Sequence, residues 1–129
     1  MGRVCIAPVD AGVAVVKTKK SIKKKCDTLW SRIIRSKEHC EMCGGLGKNA
    51  HHVIGRINYS LRWDLRNGVC LCVGCHFKAH NYPISFIDWF FLNRPVDYLY
   101  ITDPKHTQTK TWYISDYEDI YKQLSEVMT

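Results

Sequence analysis

Between Asn67 and His80 the chain reads NGVCLCVGCHFKAH, fourteen residues with three cysteines and two histidines. Thiolate and imidazole are the groups that hold borderline metal ions, so this density points first to metal chemistry. Two CxxC pairs, Cys40 with Cys43 and Cys72 with Cys75, stand 28 residues apart. Two residues between cysteines let one tight turn aim both sulfurs at one point. Two such turns build a tetrahedral Cys₄ site suited to structural zinc. A redox CxxC would need no second copy. Gly44 and Gly45 follow the first pair, where the chain must turn sharply. Cys70 spoils the two-residue spacing and reads as a buried strand residue, while Cys5 and Cys26 read as small apolar fillers.

The histidines separate by position. His51 and His52 are adjacent in AHHVI, which reads as a strand. Strand neighbours point to opposite faces, so the two rings have different tasks. His76 and His80 are four residues apart and share one face if a helix starts at the second cysteine pair. His39 and His106 have no partners in the pattern and read as surface.

HHVI followed by NGVCLCVGCH resembles the HNH endonucleases, in the order Asn, strand, second CxxC, His. The first CxxC lies just upstream, in LWSRIIRSKEHCEMCG, as in the zinc-ribboned branch of that family. The resemblance covers about residues 28–82 and is greatest to the small free-standing HNH proteins of bacteriophages. It implies an α+β fold: a ββα-metal (His-Me finger) core with a Cys₄ zinc site and flanking helices. It implies a metal-dependent hydrolase acting on the phosphodiester bonds of DNA. His52 is then the general base, a role that suits a neutral imidazole. His51 and His76 are ligands of one catalytic divalent ion, with His80 as a third. Asn67 fixes the loop and orients His52 by hydrogen bonding, so that His52, Asn67 and His76 form the catalytic set. Many members carry Asp where this chain has His51, so here the ligands are imidazoles. Mg²⁺, Mn²⁺, Ni²⁺ and Zn²⁺ are the candidate ions. Two rivals stand beside the nuclease: a non-catalytic zinc module that binds nucleic acid, and a nuclease subunit active only inside a larger phage assembly. One finger has one centre and nicks, so a double-strand break implies a homodimer or two visits.

The chain has 129 residues and a net charge of +7. One domain of this size buries only about two-thirds of its unfolded surface, so a metal staple would help it. Residues 1–66 carry 14 Lys/Arg and 5 Asp/Glu, and residues 67–129 carry 5 and 7. A basic half of this kind fits a polyanionic partner, here DNA. Its expected contacts are Lys23, Lys24, Lys25, Arg32 and Arg35, joined by Arg56, Arg62 and Arg66 between the strands of the finger. The alternative for those three arginines is a surface or ion-pair role with Asp64. Seven cysteines without a secretory signal favour metal over disulfides and a reducing cytoplasm, the host's if the chain is phage-encoded. No apolar run approaches the roughly 18 residues of a membrane span, and Ile6 breaks the myristoylation pattern.

These residues need elements to hold them. Residues 1–20 read as an irregular basic arm that includes part of a six-lysine run between Lys17 and Lys25. Residues 21–129 read as one domain with a helical C-terminal extension. Its first helix starts with Ser21 as N-cap and carries the stripe Ile22, Cys26, Leu29, Trp30, Ile33 and Ile34. Trp63 reads as packed beneath the arginine loop. PISFIDWFFLN reads as an apolar helix from Pro83, with Phe86, Trp89, Phe90 and Phe91 as core. DYLYI is open between strand and helix, PKHTQTK reads as a loop and TWYI as a short strand. The last helix reads as capped by Ser115 and Glu118.

Overall fold

A computed structural model describes residues 18–128, so Cys5, Lys17 and most of the expected arm lie outside the described residues. The first helix, α1 (Lys19–Arg35), starts before the expected point. Thr18 is its N-cap and Ser21 its third residue, and the two trade hydrogen bonds: Ser21 N–H to Thr18 Oγ1 at 3.0 Å, Thr18 N–H to Ser21 Oγ at 3.1 Å. Lys19 and Lys20 are good helix formers and extend the helix to that box. The arm therefore ends at least two residues sooner than the sequence suggested.

After α1 come strand β1 (Asn49–His52), a short helix α2 (Tyr59–Arg62), a 3₁₀ turn at Leu65–Asn67 and strand β2 (Gly68–Leu71). Five helices follow: α3 (Val73–Asn81), α4 (Pro83–Asn93), α5 (Pro95–Thr102), α6 (Pro104–Thr107) and α7 (Ile114–Met128). The fold is α+β, with one antiparallel two-stranded sheet among the described residues. None of the described helices is long and apolar enough to cross a membrane.

DYLYI, open between strand and helix in the sequence, is helical, within α5. Four assignments differ from expectation. Part of PKHTQTK forms α6. TWYI is not a strand: Trp112 lies flat on Tyr117, with ring centroids 5.8 Å apart. Its apolar bulk is satisfied by aromatic packing instead of a sheet edge. α7 begins at Ile114, so Ser115 lies inside it and not at its N-cap, and the Asp116 carboxylate accepts the Tyr113 N–H at 2.8 Å. Phe91 is 47% exposed, because α4 turns Phe86 and Phe90 inward and leaves Phe91 outside.

The sheet divides two apolar cores. One joins the buried stripe of α1, including Cys26 and Trp30, to Trp63, Cys70 and the buried face of α7. The other gathers Cys40, Leu61, Val69, Leu71, Phe86 and Phe90. Side chains alternate along β2, so Cys70 enters the first core while Val69 and Leu71 enter the second. The register pairs His51 with Val69 and His52 with Gly68. Directly paired residues share a face. His51 therefore faces the second core and His52 the first.

Gly68 lets α1 approach. A Cβ there would lie 2.7 Å from the Trp30 ring carbon Cζ2 and also strike Ile34. Gly68→Ala is expected to cost about 1–3 kcal/mol through overpacking, read by urea unfolding. A loss below about 0.5 kcal/mol, the range of an inert surface change, would mean that Trp30 moves aside freely.

Candidate active site and metal centres

Cys40, Cys43, Cys72 and Cys75 converge, with all four sulfurs within 4.8 Å of one another. The first pair comes from the turn after α1, where Gly44 has φ +78° and donates its N–H to the Cys40 carbonyl at 2.9 Å. That left-handed conformation favours glycine. The second pair opens α3, with Cys72 as its N-cap. Backbone N–H groups point at the sulfurs: Cys43 to Cys40 at 3.5 Å, Gly45 to Cys43 at 3.4 Å and Cys75 to Cys72 at 3.3 Å. Burial opposes the Cys40 thiolate, but the surrounding N–H donors outweigh it and bring the thiol below its ordinary value. Burial and the neighbouring sulfurs push Cys75 up to about 12. One sulfur thus ionises easily and repels the next charge, a conflict that a bound cation removes. Cys70 stays outside the cluster, a buried strand residue as expected.

A second cluster forms from His51, His76 and His80. His51 projects from β1 onto α3, where His76 and His80 share one face with Nε2 atoms 3.1 Å apart. Phe86 closes the far side, edge-on to His51 at 4.8 Å. His51 is 7% exposed. Burial, then the like charges that His76, His80 and His52 would carry, push His51 down to about 4. Burial and His80 also lower His76. His51 and His76 are therefore held neutral near pH 7, with lone pairs available to a metal ion.

His52 points the other way. Its ring stacks on Trp30 at 3.9 Å and 11°, and its Nε2 lies 2.9 Å from the Arg62 carbonyl oxygen. A carbonyl can only accept, so the proton sits on Nε2 and the lone pair of the neutral ring on Nδ1. Burial lowers the His52 pKa most, the Arg62 carbonyl opposes it, and Arg56 lowers it further. The ring is poised as a neutral acceptor.

Asn67 is fully buried and holds the loop, but through other partners than expected. Its side-chain oxygen accepts the Ile54 N–H at 2.7 Å, and its amide donates to the carbonyls of Ile54 at 2.9 Å and Leu61 at 3.1 Å. Those buried backbone groups need partners and use the whole side chain. The orientation of His52 falls to the Arg62 carbonyl and Trp30.

The basic residues do not form one surface around the histidines. Arg62 is 13% exposed and grips Asp27 with both arms of its fork, at 3.0 and 2.6 Å. Arg56 also reaches Asp27 at 3.0 Å but is largely exposed. Arg66 pairs with Asp64 at 2.8 Å and lies over Tyr100. Lys23 donates to the Tyr59 hydroxyl at 3.1 Å. Lys24, Lys25, Arg32 and Arg35 are exposed, on the side of α1 opposite Trp30 by the 3.6-residue repeat. Lys24, Lys25 and Arg32 frame a groove with Tyr121. His39 is exposed as expected, but His106 is half-buried, stacked on Tyr100.

Three residues of the site escaped sequence reasoning. Trp30 was legible as core but not as the wall of His52. Asp27 accepts from Arg62, Arg56 and the Trp63 indole. Its signal was present, for it is the lone acid between Gly12 and Lys37 in a segment dense with cations. Arg94 ties the helices to the sheet by donating to the carbonyls of Gly68 at 2.7 Å and Arg66 at 3.4 Å. Nothing near it in sequence marked it. No family model, curated protein or solved structure matches the chain.

Proposed function

We propose that the chain is a metal-dependent DNA endonuclease of the HNH type, with a ββα-metal core made of β1, β2 and α3. One observation carries the reading. Adjacent histidines on β1 part to opposite faces, one joining two imidazoles and the other held singly with Nδ1 free. A core histidine or a plain zinc module needs no such division.

The Cys₄ cluster suits structural zinc. Ligands about 2.3 Å from a tetrahedral ion lie about 3.8 Å from one another, and the Cys43 and Cys72 sulfurs are 3.7 Å apart. The His51, His76 and His80 trio suits the catalytic divalent ion. When bound there, such an ion polarises a phosphoryl oxygen and stabilises the departing oxygen. His52 Nδ1 accepts a proton from the attacking water, and Trp30 and the Arg62 carbonyl hold the ring at one angle while it does so. Asn67 keeps the loop between Val53 and Leu61 closed over β1, which fixes where the Arg62 carbonyl stands.

Conversion of supercoiled plasmid to nicked circle, across a panel of divalent ions, tests this reading. Three imidazoles favour borderline ions over hard Mg²⁺. Mn²⁺ or Ni²⁺ should match or exceed Mg²⁺ at equal low concentration, and His51→Asp should move the ranking towards Mg²⁺. No nicking with any ion would end the nuclease reading for the isolated chain. Activity with Mg²⁺ alone, unaltered in His51→Asp, would remove His51 from the ligand set.

A second reading, a nuclease subunit of a larger assembly, has one observation in its favour. Ile84, Leu92, Val96 and Leu99 leave an exposed apolar strip along α4 and α5. That reading is separated by cleavage that appears only when a partner is added.

A further inference from the structure

The loop after β1 carries a feature that hydrolysis does not use. It turns at Gly55, where the Asn58 N–H donates to the Gly55 carbonyl at 3.0 Å. At its tip Ile57 is 94% exposed, more than any other large apolar side chain among the described residues. Beside Ile57 opens a cavity of about 430 Å³, within the usual range for a small-ligand site. Its wall is aromatic. Trp112 and Tyr117 lie parallel within 9°, and Tyr59 stands edge-on to Trp112 at 6.2 Å. Its rim is cationic, for Lys19 and Lys110 line it and no carboxylate does. Lys110 lies 4.3 Å over the Trp112 ring, and its other partner, Asp116, sits 3.0 Å away outside the lining.

Tyr117 is buried and backs the wall, while Trp112 and Tyr59 are half-buried, and half-buried aromatic rings beside lysines are what an unpaired nucleotide requires. Each base has a face to stack, and each phosphate a charge to neutralise. An exposed apolar side chain beside such a pocket suits a wedge between bases. We propose that this cavity receives an unpaired base of a DNA strand, with Ile57 keeping that base from restacking. The proposal rests on the nuclease reading and names its substrate class: DNA interrupted by unpaired nucleotides, as in a gap, flap or fork. The chain from His52 to Asn58 spans at most about 22 Å. The pocket and the scissile phosphate therefore lie within a few nucleotides of each other along one strand.

The test is binding, with cleavage blocked by His52→Ala in the metal-loaded full chain. Fluorescence anisotropy compares labelled DNAs of one length: single-stranded, blunt duplex and duplex with a central gap. Gapped and single-stranded DNA should bind about tenfold more tightly than blunt duplex. Ile57→Ser should remove most of that preference, and its full exposure leaves the fold untouched. Trp112→Leu, checked for an unchanged melting profile, should weaken gapped DNA about tenfold and blunt duplex hardly at all. Equal affinity for blunt and gapped DNA, or a parallel loss on both in Ile57→Ser, overturns the pocket while leaving the nuclease reading intact. Failure to bind any DNA overturns both.

Discussion

His52→Ala should nick plasmid about two to four orders of magnitude more slowly than wild type, the usual contribution of a positioned general base. Its affinity for DNA and its metal content should hardly change. The reason lies in the sheet. His52 belongs to the face of Gly68, Trp30 and α1, and the candidate ligand histidines belong to the other. Removing the ring takes away the Nδ1 acceptor but touches no candidate ligand. The Arg62 carbonyl loses its part-buried donor, a cost of about 1–3 kcal/mol in stability that leaves the candidate ligands in place. Single-turnover nicking, with metal analysis and anisotropy on the same preparations, checks this. Cleavage retained within a factor of a few would remove His52 from the role and leave the non-catalytic zinc module as the better account.

Cys43→Ser should have the largest effect on folding. Structural zinc in such sites contributes about 10–16 kcal/mol, against a net stability of about 5–15 kcal/mol for a whole domain. Cys40 is part of the second core, packed with Leu61, Val69 and Leu71. Loss of the ion would therefore open that core and release α3, which carries His76 and His80. The expected result is a chain without a cooperative thermal transition and without its roughly one tightly held zinc. Circular dichroism and metal analysis read both. A folded, metal-free variant would mean that the sulfur cluster is dispensable and that the core stands alone.

What the sequence disclosed was local. Paired cysteines announce a ligand cluster because the turn between them fixes their spacing. His51 and His52 announce opposite faces because a strand alternates. His76 and His80 announce one face because a helix repeats nearly every four residues. What it concealed was long-range. Asp27 and Arg62 meet across 35 positions, and Arg94 reaches Gly68 across 26. No periodicity signals such a pair. TWYI had strand composition, but among the described residues the sheet has two strands and the aromatic cluster claimed Trp112. The cations of α1 read as a single basic surface until the helix turned Lys24, Lys25, Arg32 and Arg35 away from Trp30 and left Lys23 beside Tyr59.

One consequence concerns timing. Both candidate metal clusters draw all their ligands from residues 40–80, so they can close soon after that stretch leaves the ribosome. The wall behind His52 cannot settle so early. Trp30 sits on α1, and the buried side of α1 is covered by α7. The contact from Cys26 to the Tyr117 carbonyl spans 91 positions. Tyr117 follows His80, the last candidate ligand, by 37 positions, and at about 5–20 residues per second of synthesis that gap lasts roughly 2–7 s. During it the two candidate clusters can already close while the His52 ring still lacks a firm backing. Nascent chains would thus order the two ligand clusters first and the setting of His52 last.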